Sequence, residues 1–258
     1  MKVTILSALL ATLLSTCGDT QPMGDTAVAV QRLEYPDYAD TEHIVEYSGF
    51  TVSYNHNTLV PDWVAYELTA EETRGSHEQQ RLFSRDPDVS FPKASREDYS
   101  RSGWDKGHMA PHADMKWSLQ ALTESDYFTN ICPQNKEMNA QAWRKIEELT
   151  RRLAQHYGAV YVVCGPIYDS AERRHIGEAC VHVPDRFYKA LAVNTSDGWQ
   201  TVAFVVENNR QTFGPRHYAV SVDSVEALVA ASRGVATDLF PTLPEEAEQA
   251  FDWKYWNR

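Results

Sequence analysis

Eleven residues near the middle of the chain, DKGHMAPHADM (105–115), contain two histidines, two aspartates, a lysine and a glycine. Such a set could ligate a metal, do acid–base chemistry, or simply line a polar loop. His108 and His112 are four apart, the spacing that puts two imidazoles on one helix face and suits zinc. Pro111 stands between them, Gly107 precedes them and no glutamate follows the first histidine, so a helix through GHMAPH is disfavoured. No second cluster of His or Cys ligands stands out, and the zinc reading is weak. A neutral imidazole can instead take a proton from a water attacking phosphorus. Lys106 stands two residues away, and Gly107 would let the backbone approach a substrate closely. On these residues alone, a catalytic histidine and a hydrogen-bonded loop histidine are about equally supported.

The segment downstream adds candidates. NAQAWRKIEELTRRLAQHY (139–157) is expected to be a helix with Ala142, Ile146, Leu149 and Leu153 on one apolar face. On a 100° wheel Asn139 lies near the centre of that face at the N-terminus, where an amide could be a cap. It could also ligate Mg²⁺, which keeps most of its waters and tolerates a single amide oxygen. Glu147 and Arg151 lie toward the flank of the same face. They could serve a site at the helix–sheet junction or form an i,i+4 surface ion pair.

The elements that must position these residues are strands on either side of that helix. VEYSGFTVSYN and WVAYELT before it read as strands, and AVYVVCGPIY, CVHVPDRFYKALAV and WQTVAFVVEN after it read the same way. NTSDGWQ reads as a hairpin turn. DSVEALVAAS, with Asp223 or Ser224 as cap, is expected to be a short helix. The pattern predicts an α+β domain around a largely antiparallel sheet. At 258 residues the chain can bury a proper core.

The first residues, MKVTILSALLATLLSTC, have a lysine before a short apolar run and predict an export signal over 1–16. The run ends at LLSTC, which resembles a lipoprotein cleavage site with Cys17 as the lipidated residue. Residues 17–38 read as a linker and 39–258 as the domain. The expected location is a periplasm or cell envelope, with a lipid anchor to the membrane, or secretion. Export permits disulfides, and Cys164 and Cys180 could bridge neighbouring strands, leaving Cys132 free. The formal net charge of −12 argues against broad, sequence-blind adhesion to nucleic acid or anionic lipid, but not against a local basic cleft.

Taken together, the blocks DKGH, TNICPQ, MNAQAW, VYVVCGPIY and VPDRFYK resemble, in order and spacing, the DNA/RNA non-specific endonucleases with a DRGH motif, the ββα-metal group that includes endonuclease G. The likeness runs from about VSYN to LFPTLP. It implies a ββα-metal fold and a Mg²⁺-dependent endonuclease acting on DNA and RNA to leave 5′-phosphate ends, with Mn²⁺ as an alternative ion. Carried over by position, His108 is the general base and Asn139 the direct metal ligand. Glu147 holds the waters around the ion, and Asn130 helps to position water or substrate. Arg151 and Arg81 bind phosphate, with Arg85 competing for the second role, and Asp105 is structural. The family's usual arginine is Lys106 here, which keeps the charge and loses the two-pronged grip. That change and the acidic surface leave two alternatives, a nuclease-like binding module and a hydrolase of small phosphodiesters.

Overall fold

The computed structural model describes residues 32–169 and 172–258. In chain order its strands are β1 (His43–Glu46), β2 (Thr51–Asn55), β3 (Val60–Thr69), β4 (Asp105–His108), β5 (Ile131–Gln134), β6 (Ala159–Ile167), β7 (His175–Ile176), β8 (Val181–His182), β9 (Arg186–Thr195), β10 (Gly198–Glu207) and β11 (Ala219–Val220). The helices are α1 (Arg96–Tyr99), α2 (Leu119–Ser125), α3 (Lys136–Met138), α4 (Arg144–Tyr157) and α5 (Val222–Arg233). Seven strands form one antiparallel sheet in the order β1-β2-β3-β6-β9-β10-β11. The α+β expectation is met.

Period-2 alternation divides this sheet between two cores. Along β3, Val64, Tyr66 and Leu68 face a core shared with α4, whereas Trp63 and Ala65 face another shared with α5. The helices therefore cover opposite faces of the sheet. The apolar stripe predicted for α4 is as expected: Ala142, Ile146, Leu149 and Leu153 are all buried, and each large aliphatic side chain contributes about 1.5–3 kcal/mol. The β9–β10 hairpin turns where NTSDGWQ placed it, with Gly198 at φ +94°.

Several expectations change in detail. The cap of α5 is Ser221, whose hydroxyl accepts from Ser224 N at 3.3 Å, not Asp223 or Ser224. CVHVPDRFYKALAV is two strands, β8 and β9, because Pro184 lies between them and has no N–H for a ladder. Residues 32–38, expected as linker, pack on the domain: the Tyr35 hydroxyl donates to Glu46 at 2.8 Å and bonds Thr51 at 2.7 Å. The Cys164–Cys180 bridge is absent, for Cys132, Cys164 and Cys180 are all free thiols. Cys164 points into the core, donating to Met109 O at 3.3 Å, while Cys180 lies exposed in the turn before β8. The segment read as an export signal, with Cys17, lies outside the described residues. Among the described residues no helix is long and apolar enough to cross a membrane.

Beside the large sheet, β4 and β5 form a two-stranded antiparallel ribbon followed by α3 and α4, a ββα unit. DKGH is thus a strand, paired Gly107 to Cys132 and His108 to Ile131. The glycine is required by packing: a Cβ at position 107 would lie 2.0 Å from Gln134 Oε1. The sequence suggested close approach of a substrate, and the neighbour is instead the protein's own side chain.

Candidate active site

The end of β4 is held from three sides. Asn130 accepts from Ala110 N and donates to Ala110 O and Ser125 O, all at 2.9 Å, while its carbonyl accepts from Met109 N at 3.0 Å. Trp143 Nε1 donates to His108 O at 3.2 Å. Lys189, fully buried on β9, donates to Met109 O at 3.0 Å and sits over the rings of Trp143 and Tyr66. Asn130 is itself fully buried, with both amide hydrogens engaged by backbone. It shapes the loop under His108, its two amide hydrogens being engaged by the backbone of Ala110 and Ser125.

His108 and His112 do come together, although no helix carries them. His108 ends β4, and the chain turns at Pro111 into a 3₁₀ turn, His112–Asp114. Both rings reach one atom: His108 Nε2 is 3.0 Å and His112 Nδ1 3.2 Å from Asp126 Oδ1. The other carboxylate oxygen accepts from Leu82 N at 2.9 Å, which ties down the segment carrying Arg81. The nitrogen and oxygen atoms of these three residues all lie within 4.8 Å of one another, a set that could also hold an ion. Burial lowers the His108 pKa, outweighing Asp126 and assisted by Arg81 and His112, so the imidazole is neutral near pH 7. Burial by itself would raise Asp126, but its hydrogen bonds to the two histidines win and hold it ionised well below the usual range. An ionised carboxylate on Nε2–H fixes the tautomer and leaves Nδ1 as the basic atom.

Asp126 is the chief residue that the sequence reading missed. It lies 18 residues from His108 at the end of α2, and no spacing rule connects the two. Asp126→Asn is expected to lower turnover about 10- to 100-fold, and to move the acidic limb of the pH–rate profile lower, since the charge that raises the His108 pKa is gone. A profile of unchanged shape and height would remove Asp126 from the site.

Asn139 opens a π-helical turn, Asn139–Trp143, between α3 and α4, where one continuous α-helix was expected. The cap of this assembly is Asn135, which accepts from Glu137 N and Met138 N. Asn139 is therefore not a cap. Its amide donates to Asp105 Oδ2 at 3.2 Å, which orients the group and leaves Oδ1 available. π turns of this kind often occur at functional sites.

One helical stretch further, Arg151 pairs not with Glu147 but with fully buried Asp114, at 2.6 Å, and Tyr66 also donates to Asp114 at 3.0 Å. Glu147 lies in the same charged group. Burial raises its carboxyl from the usual 4.5 to about 7, with Asp114 adding to the rise and Lys189, Arg151 and Arg81 opposing it. The folded chain therefore holds a proton that the unfolded chain releases between those values, and Glu147 costs stability as pH rises through that window. Without divalent ions, Glu147→Gln is expected to be more stable than wild type by roughly 2 kcal/mol at pH 8 and equal to it at pH 4. Equal melting at pH 8 would refute the buried, charged carboxylate.

Arg81, rather than Arg85, belongs to this group. Arg81 acts electrostatically on His108 and Glu147 and lines a cavity of about 460 Å³ with His112 and Lys116. Arg85 faces Glu97 at 4.0 Å and the Phe91 ring. The larger cavity, about 1020 Å³, is lined by Arg85, Arg101 and His175 and contains, of the candidate residues, only Arg85. Lys106 lies with its ammonium 5.3 Å from the Phe83 ring centre and 5.9 Å from that of Tyr99.

The sequence pattern of the DNA/RNA non-specific endonucleases matches residues 32–245. The chain belongs to that family. It is 37% identical to the mitochondrial nuclease EXOG of Danio rerio over 177 residues, 63% of this chain and 51% of that protein. With endonuclease G of Homo sapiens, also mitochondrial, it shares 28% identity over 192 residues, 69% of this chain and 65% of that protein. The chain spans about half the length of the EXOG relatives. A crystal structure of an EndoG/EndoGI complex superposes with a TM-score of 0.74 at 27% identity, covering 81% of this chain and 90% of that chain. The fold of this endonuclease-family chain is accordingly the ββα-metal one. The relatives also bring a correction: EXOG, endonuclease G and nuclease 1 of Schizosaccharomyces pombe are mitochondrial proteins, which overturns the expectation of an exported, lipid-anchored chain in a periplasm or envelope.

Proposed function

We propose that this chain is a Mg²⁺-dependent, sugar-non-specific endonuclease that hydrolyses phosphodiester bonds in DNA and RNA and leaves 5′-phosphate ends. The observation that supports it most is the buried His108–Asp126 pair at the end of β4, packed against the start of the helix that carries Asn139, Glu147 and Arg151. Neutral His108 takes a proton from the attacking water at Nδ1, while Nε2–H stays on Asp126. Arg81 and Lys106 draw the phosphate in, and Arg151, steadied by Asp114, adds positive charge behind it. Oxygen donors suit Mg²⁺: Asn139 Oδ1 would hold the ion and Glu147 the waters around it. Bound there, Mg²⁺ would neutralise the scissile phosphate and stabilise the departing 3′ oxygen. Contacts made chiefly to phosphate predict little base preference.

The test is supercoiled plasmid and single-stranded RNA incubated with the full chain in Mg²⁺, in Mn²⁺ and in EDTA. Nicking and smearing that EDTA abolishes is the expected result. Intact substrates in every metal, from folded protein, would favour a binding module, and cleavage of small phosphodiesters alone would favour the narrower hydrolase. Asn139→Ala is expected to raise the half-saturating Mg²⁺ concentration about tenfold or more and to lower the rate with it. A wild-type Mg²⁺ titration from that variant would refute the ligand.

A further inference from the structure

On the sheet face opposite the candidate active site, three carboxylates from separate parts of the chain converge. Glu226 lies on α5, Asp238 in the loop that follows, and Glu248 just after the 3₁₀ turn Glu245–Ala247. Each brings a carboxylate oxygen within 4.8 Å of the other two. Glu226 accepts from Leu239 N at 2.8 Å and Asp238 from Phe240 N at 3.0 Å, bonds that fix the side chains without neutralising them. Among the described residues, none of the three is ion-paired to a lysine, arginine or histidine. Glu248 is only 4% exposed, and its Oε2 is buried with no hydrogen-bond partner. Among the described residues it is the one carboxylate oxygen left so, and a buried acceptor is costly unless a bound group or a proton satisfies it.

We propose that Glu226, Asp238 and Glu248 form a site for a hard divalent cation, Ca²⁺, separate from the catalytic ion. The donor set is all oxygen, which disfavours the softer metals that seek imidazole or thiolate. Three carboxyl groups converge here, and none of them has a counter-charge from a lysine, arginine or histidine among the described residues. Ca²⁺ accepts six to eight oxygens in loose geometry, so water and backbone can complete the shell, whereas Mg²⁺ demands a tight octahedron and gives up water reluctantly. The ion would pin three pieces of chain together. Glu248 is already placed for this by Asp223 N, which donates to its carbonyl, and by Thr201 on β10, which donates to Ala247 O at 2.6 Å. The site would act on stability and leave the chemistry on the other face to its own ion.

The experiment uses the full chain stripped with EDTA and returned to Ca²⁺ at millimolar concentration. Wild type and Asn139→Ala are both expected to gain about 5 °C in Tm, and calorimetric titration of Asn139→Ala should show one Ca²⁺ bound per chain. Glu248→Gln is expected to melt close to wild type without Ca²⁺, since the amide fills the same buried space, and to gain less than about 1 °C with it. Glu226→Gln supplies the same reading if the first variant does not fold. No Ca²⁺ uptake by Asn139→Ala would overturn the proposal and leave three carboxyls sharing protons. So would an equal Ca²⁺ shift in wild type and both glutamine variants. Neither result depends on nuclease activity, so the proposal and the nuclease reading can fail separately.

Discussion

Replacing His108 with alanine is expected to lower plasmid nicking about 10³-fold while the fold and the Mg²⁺ affinity remain those of wild type. The size follows from the role: a positioned base typically contributes 10²–10⁴, and no neighbouring group can substitute. His112 touches the same Asp126 oxygen but does so through Nδ1, with its ring centre 6.2 Å from that of His108. The fold should survive because the β4–β5 pairing and the Trp143 bond both use the His108 backbone, which alanine retains. The acidic limb of wild-type activity should begin below pH 6.5, since burial has already lowered the imidazole pKa. The same protonation, forced at still lower pH, would cost stability, because the unfolded chain accepts that proton more readily. Full activity in His108→Ala would remove the base from the mechanism.

Asp114→Ala should have the largest effect on stability, a loss of about 3–5 kcal/mol or roughly 10 °C in Tm. Asp114 is fully buried, and burial pushes its carboxyl pKa up even though Arg151 opposes the shift. Removing it strands the Arg151 guanidinium, deprives the Tyr66 hydroxyl of its acceptor and takes one negative charge from the surroundings of Lys189. Asp114→Asn, which keeps an acceptor for Tyr66 but not the charge, should fall between the two in a denaturant titration. A melting point for Asp114→Ala within about 2 °C of wild type would show that the pair is not integral to the core. Activity should fall as well, since Arg151 is aimed by Asp114, and that loss should persist at temperatures where the variant is folded.

The sequence by itself determined the elements and much of the candidate list. Alternating aromatic and β-branched runs specified β2, β3, β6, β9 and β10 of the large sheet, because strand periodicity is a local property, whereas VEYSGFTVSYN holds the end of β1, a turn and β2, and β11 carried no such run. Ala142, Ile146, Leu149 and Leu153 specified the buried face of α4 and of the π-helical turn that leads into it for the same reason. The blocks around DKGH, TNICPQ and MNAQAW were enough to indicate the family to which the chain belongs.

Only the tertiary structure decided how the side chains are used, because partners distant in sequence carry no local signal. His108 and His112 meet at Asp126 through a strand, a proline turn and the end of another helix, although Pro111 and Gly107 had argued against the helix that would bring them together. Arg151, four residues from Glu147, chose Asp114 across the fold instead, since a fully buried carboxylate needs a charge more than a partly exposed one does. Asn130 is committed to the backbone of the loop it supports, and Gly107 makes room for Gln134. Lys189 stood visible in its apolar run, yet only the meeting of β9 with Met109 gave its ammonium an acceptor. Cys164 and Cys180 could be proposed as a pair from neighbouring runs, but one thiol faces the core and the other lies exposed. Covalent and ionic partners are set by distance in space, and the packing of the sheet between its two helices is what sets that distance.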